Sequence, residues 1–224
     1  MIHARCLTTF SLGVVLLLGA PITECRAGLN FEVSLDTSLL IGHPAGPFEI
    51  DFQLNPGAGT GTNSVTISNF TFGTGSPLGS PTYTGSASGS LSSSVMLSEG
   101  SFLNEFTQSF TAGKTLTFDV NMTTNVVRPT PDQFSFAILD CMGNELPTTS
   151  PLDAIVVVNI DSSSPTILTY GGDPSRAPSC GGPPIPFLAP SIVPEPPSLA
   201  LMALGSLSLL ILPRQRTRVW RGLA

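Results

Sequence analysis

The chain has 224 residues, 41% of them hydrophobic and only 11% charged, with a formal net charge of −6. That length holds one domain with a real core once terminal signals are set aside. Residues 28–193 keep three basic side chains (Lys114, Arg128, Arg176) against thirteen acidic ones, a balance of minus ten, which excludes an electrostatic footprint for nucleic acid or anionic lipid.

In chain order, Arg5 supplies a positive start and residues 7–20 form an apolar stretch that includes Leu16, Leu17 and Leu18. Cys25 and Ala27 then place small residues at both key cleavage positions. This pattern predicts a secretory signal peptide over 1–27, cut after Ala27. Glu24 before Cys25 is the wrong residue for a lipoprotein signal.

Beyond Ala27, period-two alternation dominates. Phe31, Val33 and Leu35 alternate with Glu32, Ser34 and Asp36; Phe48, Ile50, Phe52 and Leu54 alternate with Glu49, Asp51 and Gln53. Val65 and Ile67, then Leu116, Phe118, Val120 and Met122, then Phe134, Phe136 and Ile138, repeat the pattern. Residues 154–160 are a β-branched run, as in a strand buried on both faces, and 166–170 make a last strand. Phe102, Phe106 and Phe110 fit both a helix face and a strand, and the Thr-rich surroundings favour strand. The connections carry Gly and Pro, as in Asn55-Pro56-Gly57 and Gly73-Thr74-Gly75, which supply turns. Residues 79–94 are Ser/Gly-rich and predict a weak exposed strand pair or a loop. The expected fold is all-β: an antiparallel β-sandwich over 28–170 with eight to ten strands in a jelly-roll-like arrangement, a barrel being the alternative. Residues 171–193 are Pro/Gly-rich and predict an extended stalk.

The end of the chain is the most specific part. Pro194-Glu195-Pro196 precedes an uncharged apolar run over 197–212, followed by Arg214, Arg216 and Arg218. Sixteen residues reach roughly 24 Å as a helix, somewhat under the ~30 Å hydrocarbon core, so the segment crosses with help from flanking residues or local thinning. The arginines hold the C-terminus in the cytoplasm. The prolines keep Glu195 on extended backbone, open to a processing enzyme.

Together, residues 194–218 resemble the PEP-CTERM sorting signal of bacterial exported proteins. That resemblance implies Pro194, Glu195 and Pro196 as the sorting motif, Arg214, Arg216 and Arg218 as the basic stop, and an exosortase as the partner that recognises the tail. The Sec translocon and signal peptidase serve the front end. Body segments such as Gly46-Pro47-Phe48-Glu49-Ile50-Asp51-Phe52, Ser64-Val65-Thr66-Ile67-Ser68-Asn69-Phe70 and Pro131-Asp132-Gln133-Phe134-Ser135-Phe136 are similar to one subfamily of such proteins. This second resemblance implies export and carries no known activity with it.

Of four cysteines, Cys6 and Cys25 leave with the signal peptide. Cys141 and Cys180 remain, and two cysteines in an exported domain are expected to pair. Their spacing is wrong for zinc. His43, between Gly42 and Pro44, is the one histidine beyond the signal peptide and reads as an exposed turn residue. No nucleophile elbow, P-loop or dinucleotide fingerprint occurs. Glu49 and Asp51 share a strand face, but such i, i+2 acids read as a solvated outer face rather than a glycosidase pair. Asp132, Asp140, Asp153 and Asp161 flank strands and stand as candidates to gather at one end. Calcium is a candidate ion only, with no ligands assigned. Tyr83 and Tyr170 are the only tyrosines, too few for a sugar-stacking platform, although Thr, Asn, Gln and Ser faces suit hydrogen bonding to sugars.

These readings predict a non-catalytic structural or adhesion protein of the cell surface or exopolysaccharide matrix, transiently anchored in the membrane by its C-terminal helix. No cofactor, metal site or nucleic-acid partner is expected. A carbohydrate-binding module for the host's own polysaccharide is the alternative, and a secreted glycan hydrolase ranks behind both.

Overall fold

The computed structural model describes residues 28–57, 63–123, 130–160 and 165–194. The predicted signal peptide over 1–27, the apolar run over 197–212 and the predicted sorting-motif residues Glu195 and Pro196 lie outside these, as do Arg214, Arg216 and Arg218. Among the described residues no helix is long and apolar enough to cross a membrane.

The body is all-β, built as two antiparallel sheets. Thirteen strands occur among the described residues: β1 (Leu29–Asp36), β2 (Phe48–Asn55), β3 (Ser64–Thr71), β4 (Ser76–Pro77), β5 (Thr82–Thr84), β6 (Ala87–Gly89), β7 (Ser94–Ser98), β8 (Asn104–Thr111), β9 (Thr115–Met122), β10 (Gln133–Leu139), β11 (Val156–Asn159), β12 (Thr166–Thr169) and β13 (Ser191–Pro194). The count exceeds the predicted eight to ten. The excess comes largely from two- and three-residue pieces over 76–89, too short to leave a periodic signal. The first sheet runs β13-β1-β9-β3-β7-β6. The second runs β12-β11-β10-β2-β8-β4, with β5 also on β8.

Alternation decides which face each strand buries. In β1, Phe31, Val33 and Leu35 are buried while Glu32 and Asp36 are exposed. The same holds for Leu116, Phe118, Val120 and Met122 on β9. The two sheets meet through phenylalanine. Phe118 of the first sheet meets Phe52 and Phe136 of the second edge-on, at ring-centroid distances of 5.3 and 5.0 Å and interplanar angles of 77° and 80°. Phe52 also contacts Phe70, Phe106 and Phe134. Edge-to-face pairs gain about 0.5–1.5 kcal/mol beyond the area they bury, so this cluster fixes the sandwich as well as filling it.

Residues 101–110 settle as strand from Asn104 onward. Phe106 and Phe110 enter the core, and Phe102, left in the preceding loop, is 90% exposed. β11 lies in a buried run from Ala154 to Val158, covered on both faces.

The largest departure from the sequence reading is at 171–193. The predicted stalk is instead folded onto the body. Ile185 and Phe187 are buried in the common core. Gly172 donates its N–H to the Phe187 carbonyl at 2.8 Å, and a Cβ on Gly172 would collide with the Ile185 carbonyl. β13 pairs with β1, matching Phe31 to Pro194 and Ser34 to Ser191. Three other attachments hold the strap. A Cys141–Cys180 disulfide joins residues whose Cα atoms are 5.8 Å apart. The Cys180 N–H donates to Asp140 Oδ2 at 2.7 Å. Arg176 pairs with Asp153 and with Asp173 and donates to the Thr148 carbonyl. Proline removes helix and central strand as options, but it tolerates an edge. A few apolar anchors in a Pro/Gly-rich stretch suffice to lay it along a sheet.

Candidate functional site

β2 sits at the centre of the second sheet, between β10 and β8. Its even-numbered side chains face the core. Its odd-numbered ones, Glu49, Asp51, Gln53 and Asn55, face outward. Register sets their neighbours: Asp51 is level with Ala137, Gln53 with Ser135 and Asn55 with Gln133 on β10. On the other side Glu49, Asp51 and Gln53 are level with Ser109, Thr107 and Glu105 of β8.

The segment from 140 to 155 folds back over this face. It is pinned by an isolated bridge between Leu139 and Glu145 and by the Ile155 N–H to the Phe136 carbonyl at 2.8 Å. Between it and the sheet lies a cleft of about 210 Å³. Asp51, Gln53, Asn55, Gln133, Ser135 and Glu145 give it a polar lining, with Ala137, Leu152 and Ala154 as the apolar edge.

Asp51 is the unusual member, only 2% exposed. Its Oδ2 accepts a hydrogen bond from Gln53 Nε2 at 2.7 Å. Its Oδ1 is buried and has no partner. A buried carboxylate oxygen without a donor is costly. Burial, reinforced by the charges of Glu105, Glu145 and Glu49, pushes the Asp51 carboxyl up to about 7, against the Gln53 hydrogen bond that favours its ionised form. Two of those neighbours are held in place: Glu49 accepts from Ser109 Oγ at 2.9 Å, and Glu105 from Gln53 Nε2 at 3.2 Å. Glu145 stands exposed. A carboxyl poised near neutrality in a cleft marks a functional-site candidate. Glu49 and Asp51 do share a face, yet Asp51 is not solvated, because the 140–155 segment covers it. Nothing in β2 itself announces that cover.

The remaining candidates are structural. His43 is half-buried: its Nδ1 accepts the Ala45 N–H and its Nε2 lies 3.1 Å from the Pro183 carbonyl, so it ties the β1–β2 connection to the strap. Asp132 and Asp140 bracket β10 at opposite ends and do not gather. Asp132 accepts from the Gly57 N–H and from Asn63 Nδ2 at 2.6 and 2.7 Å. Asp140 accepts from Met142, Asn144 and Cys180. Burial works to raise Asp153, but hydrogen bonds from Arg176 and the Thr148 N–H outweigh it and hold its carboxyl below the usual range. Asp161 lies outside the described residues. Among the described residues no group of three or more His, Cys, Asp or Glu side chains is placed to hold a metal ion. Pro194, the first residue of the predicted sorting motif, ends β13 and is exposed.

No family model, functionally described protein or solved structure shows significant similarity to the chain.

Proposed function

We propose that this is an exported protein of the cell surface or exopolysaccharide matrix, with a non-catalytic structural or adhesion role. It is delivered through the Sec translocon and signal peptidase and sorted by an exosortase acting on Pro194, Glu195 and Pro196. The observation that carries this reading is the C-terminal order of Pro-Glu-Pro, apolar run and arginines. Two features of the body support it. The disulfide suits an oxidising compartment. The edge strand β13 ends at Pro194, so the motif follows directly from a strand anchored on the body. In this reading the apolar helix over 197–212 anchors the chain only in transit, and the sandwich is jelly-roll-like, its chain alternating between sheets through β1, β2 and β3 and again through β8, β9 and β10.

Expression of the full chain in a host with its exosortase intact and in the same host with it deleted tests the sorting. Delivery to the surface or matrix is expected only in the first, and identical localisation in both refutes the reading. A second reading, that the body also binds the host's polysaccharide, is favoured by the polar cleft around Asp51. Its amide, hydroxyl and carboxyl groups are those that pair with sugar hydroxyls.

A further inference from the structure

The cleft at Asp51 combines three properties that narrow what it takes. First, among the described residues it is acidic without a counter-charge. Asp51 and Glu145 line it, and Glu49 and Glu105 stand on the same outer face. Neither described basic side chain lines it: Lys114 lies in the turn before β9, and Arg176 is committed to Asp153 and Asp173. Second, the unpartnered Oδ1 of a fully buried Asp51 lacks a donor. Third, the polar groups around it are amides and a hydroxyl, Gln53, Asn55, Gln133 and Ser135, which both donate and accept. About 210 Å³ is below the range of drug-sized pockets and suits a single ring.

We propose that this cleft binds a primary ammonium carried on a hydroxylated ring, that is, a residue of unsubstituted amino sugar in a polysaccharide. The ammonium pairs with the Asp51 carboxylate and sits in the field of Glu145, while the ring hydroxyls meet Gln53, Asn55, Gln133 and Ser135. A charge-assisted bond of this kind is stronger than a neutral one. This inference rests on the reading that the body binds polysaccharide. The raised carboxyl of Asp51 fits it, since a bound cation supplies the positive partner whose absence makes ionisation costly. Binding then draws Asp51 into its ionised form, so affinity rises with pH up to neutrality and the complex releases a proton near pH 6.

The test is calorimetric titration of the full chain in detergent micelles with four probes: a short glucosamine oligosaccharide, its N-acetylated counterpart, the matching glucose oligosaccharide and Nα-acetyl-lysine amide. Saturable binding of the glucosamine probe is expected, at least about tenfold tighter than any of the others. Asp51→Asn, which keeps the shape and removes the charge, is expected to abolish that preference, and Glu145→Gln to weaken it. Because Asp51→Asn is expected to fold more stably than the parent at neutral pH, lost binding is not lost folding, and its melting curve checks this. Equal binding of the N-acetylated or glucose probe overturns the proposal but leaves polysaccharide binding standing. No binding by any sugar overturns both. Preference for the lysine probe overturns it in favour of a protein partner, and so does a glucosamine preference that survives Asp51→Asn.

Discussion

Asp51→Asn is the substitution that most directly probes the physics of the cleft. The carboxyl titrates near 7 when folded, against an unfolded value of 3.8. The sign comes from linkage: a carboxyl whose folded pKa is raised is protonated in the native state while already ionised in the unfolded one. Its contribution therefore falls as pH rises from about 4 to about 7 and is flat above that, the reverse of the usual salt-bridged carboxylate. At 1.36 kcal/mol per pH unit, the interval from pH 5 to pH 7 is worth roughly 3 kcal/mol. Asparagine cannot ionise and keeps an oxygen to accept from Gln53. The stability difference between variant and parent should widen in favour of the variant by roughly 3 kcal/mol from pH 5 to pH 8, while titrating groups remote from Asp51 cancel in the comparison. Urea denaturation followed by circular dichroism, in steps across that range with the disulfide intact, measures it. Parallel stability curves would show that Asp51 is ionised and compensated in the native protein, and would refute an unbalanced buried carboxyl.

Three further variants test the packing and the strap. Phe52→Ala, at the hub of the ring contacts between the sheets, should cost about 3–5 kcal/mol in chemical denaturation. Replacing Cys141 and Cys180 together by serine opens a tie spanning a sequence separation of 39. It should cost about 4 kcal/mol on the loop-entropy account and make residues 174–184 the first site of limited proteolysis. The Ser175 hydroxyl and N–H, followed by Arg176, hold the Asp173 carboxyl below its ordinary value, and Arg176 also holds Asp153 down. A lowered carboxyl adds stability above its unfolded value of 3.8 that is lost as pH falls below it. Arg176→Met should therefore lower stability at pH 7 and flatten the loss seen below about pH 4, with faster amide exchange at Gly171 and Gly172 as the local signature.

Much of the all-β body is legible in the residues alone. In β1, β2 and β9 one apolar face alternates with one polar face, and a period of two is a local property that needs no partner to be visible. Charge and tail order are equally local, which is why export and sorting can be proposed from sequence. Sequence is less informative wherever a short or irregular segment draws its structure from contacts rather than composition. β7, with Val95 and Leu97 buried, emerges from a Ser-rich stretch where β3 and β6 pair with it on either side. Residues 171–193 look like a stalk by Pro and Gly content, and are held on the body by Ile185, Phe187 and the attachments of Cys180 and Arg176.

The candidate site shows the division most sharply. Side-chain alternation along an extended backbone is enough to put Glu49, Asp51 and Gln53 on one face of a strand. Whether that face meets water depended on a segment some ninety residues further on. Only the tertiary structure laid 140–155 across it, buried Asp51 and left its Oδ1 without a donor. The acidity of a carboxyl is set by the dielectric and the charges around it, and those are properties of the packed molecule rather than of the residue.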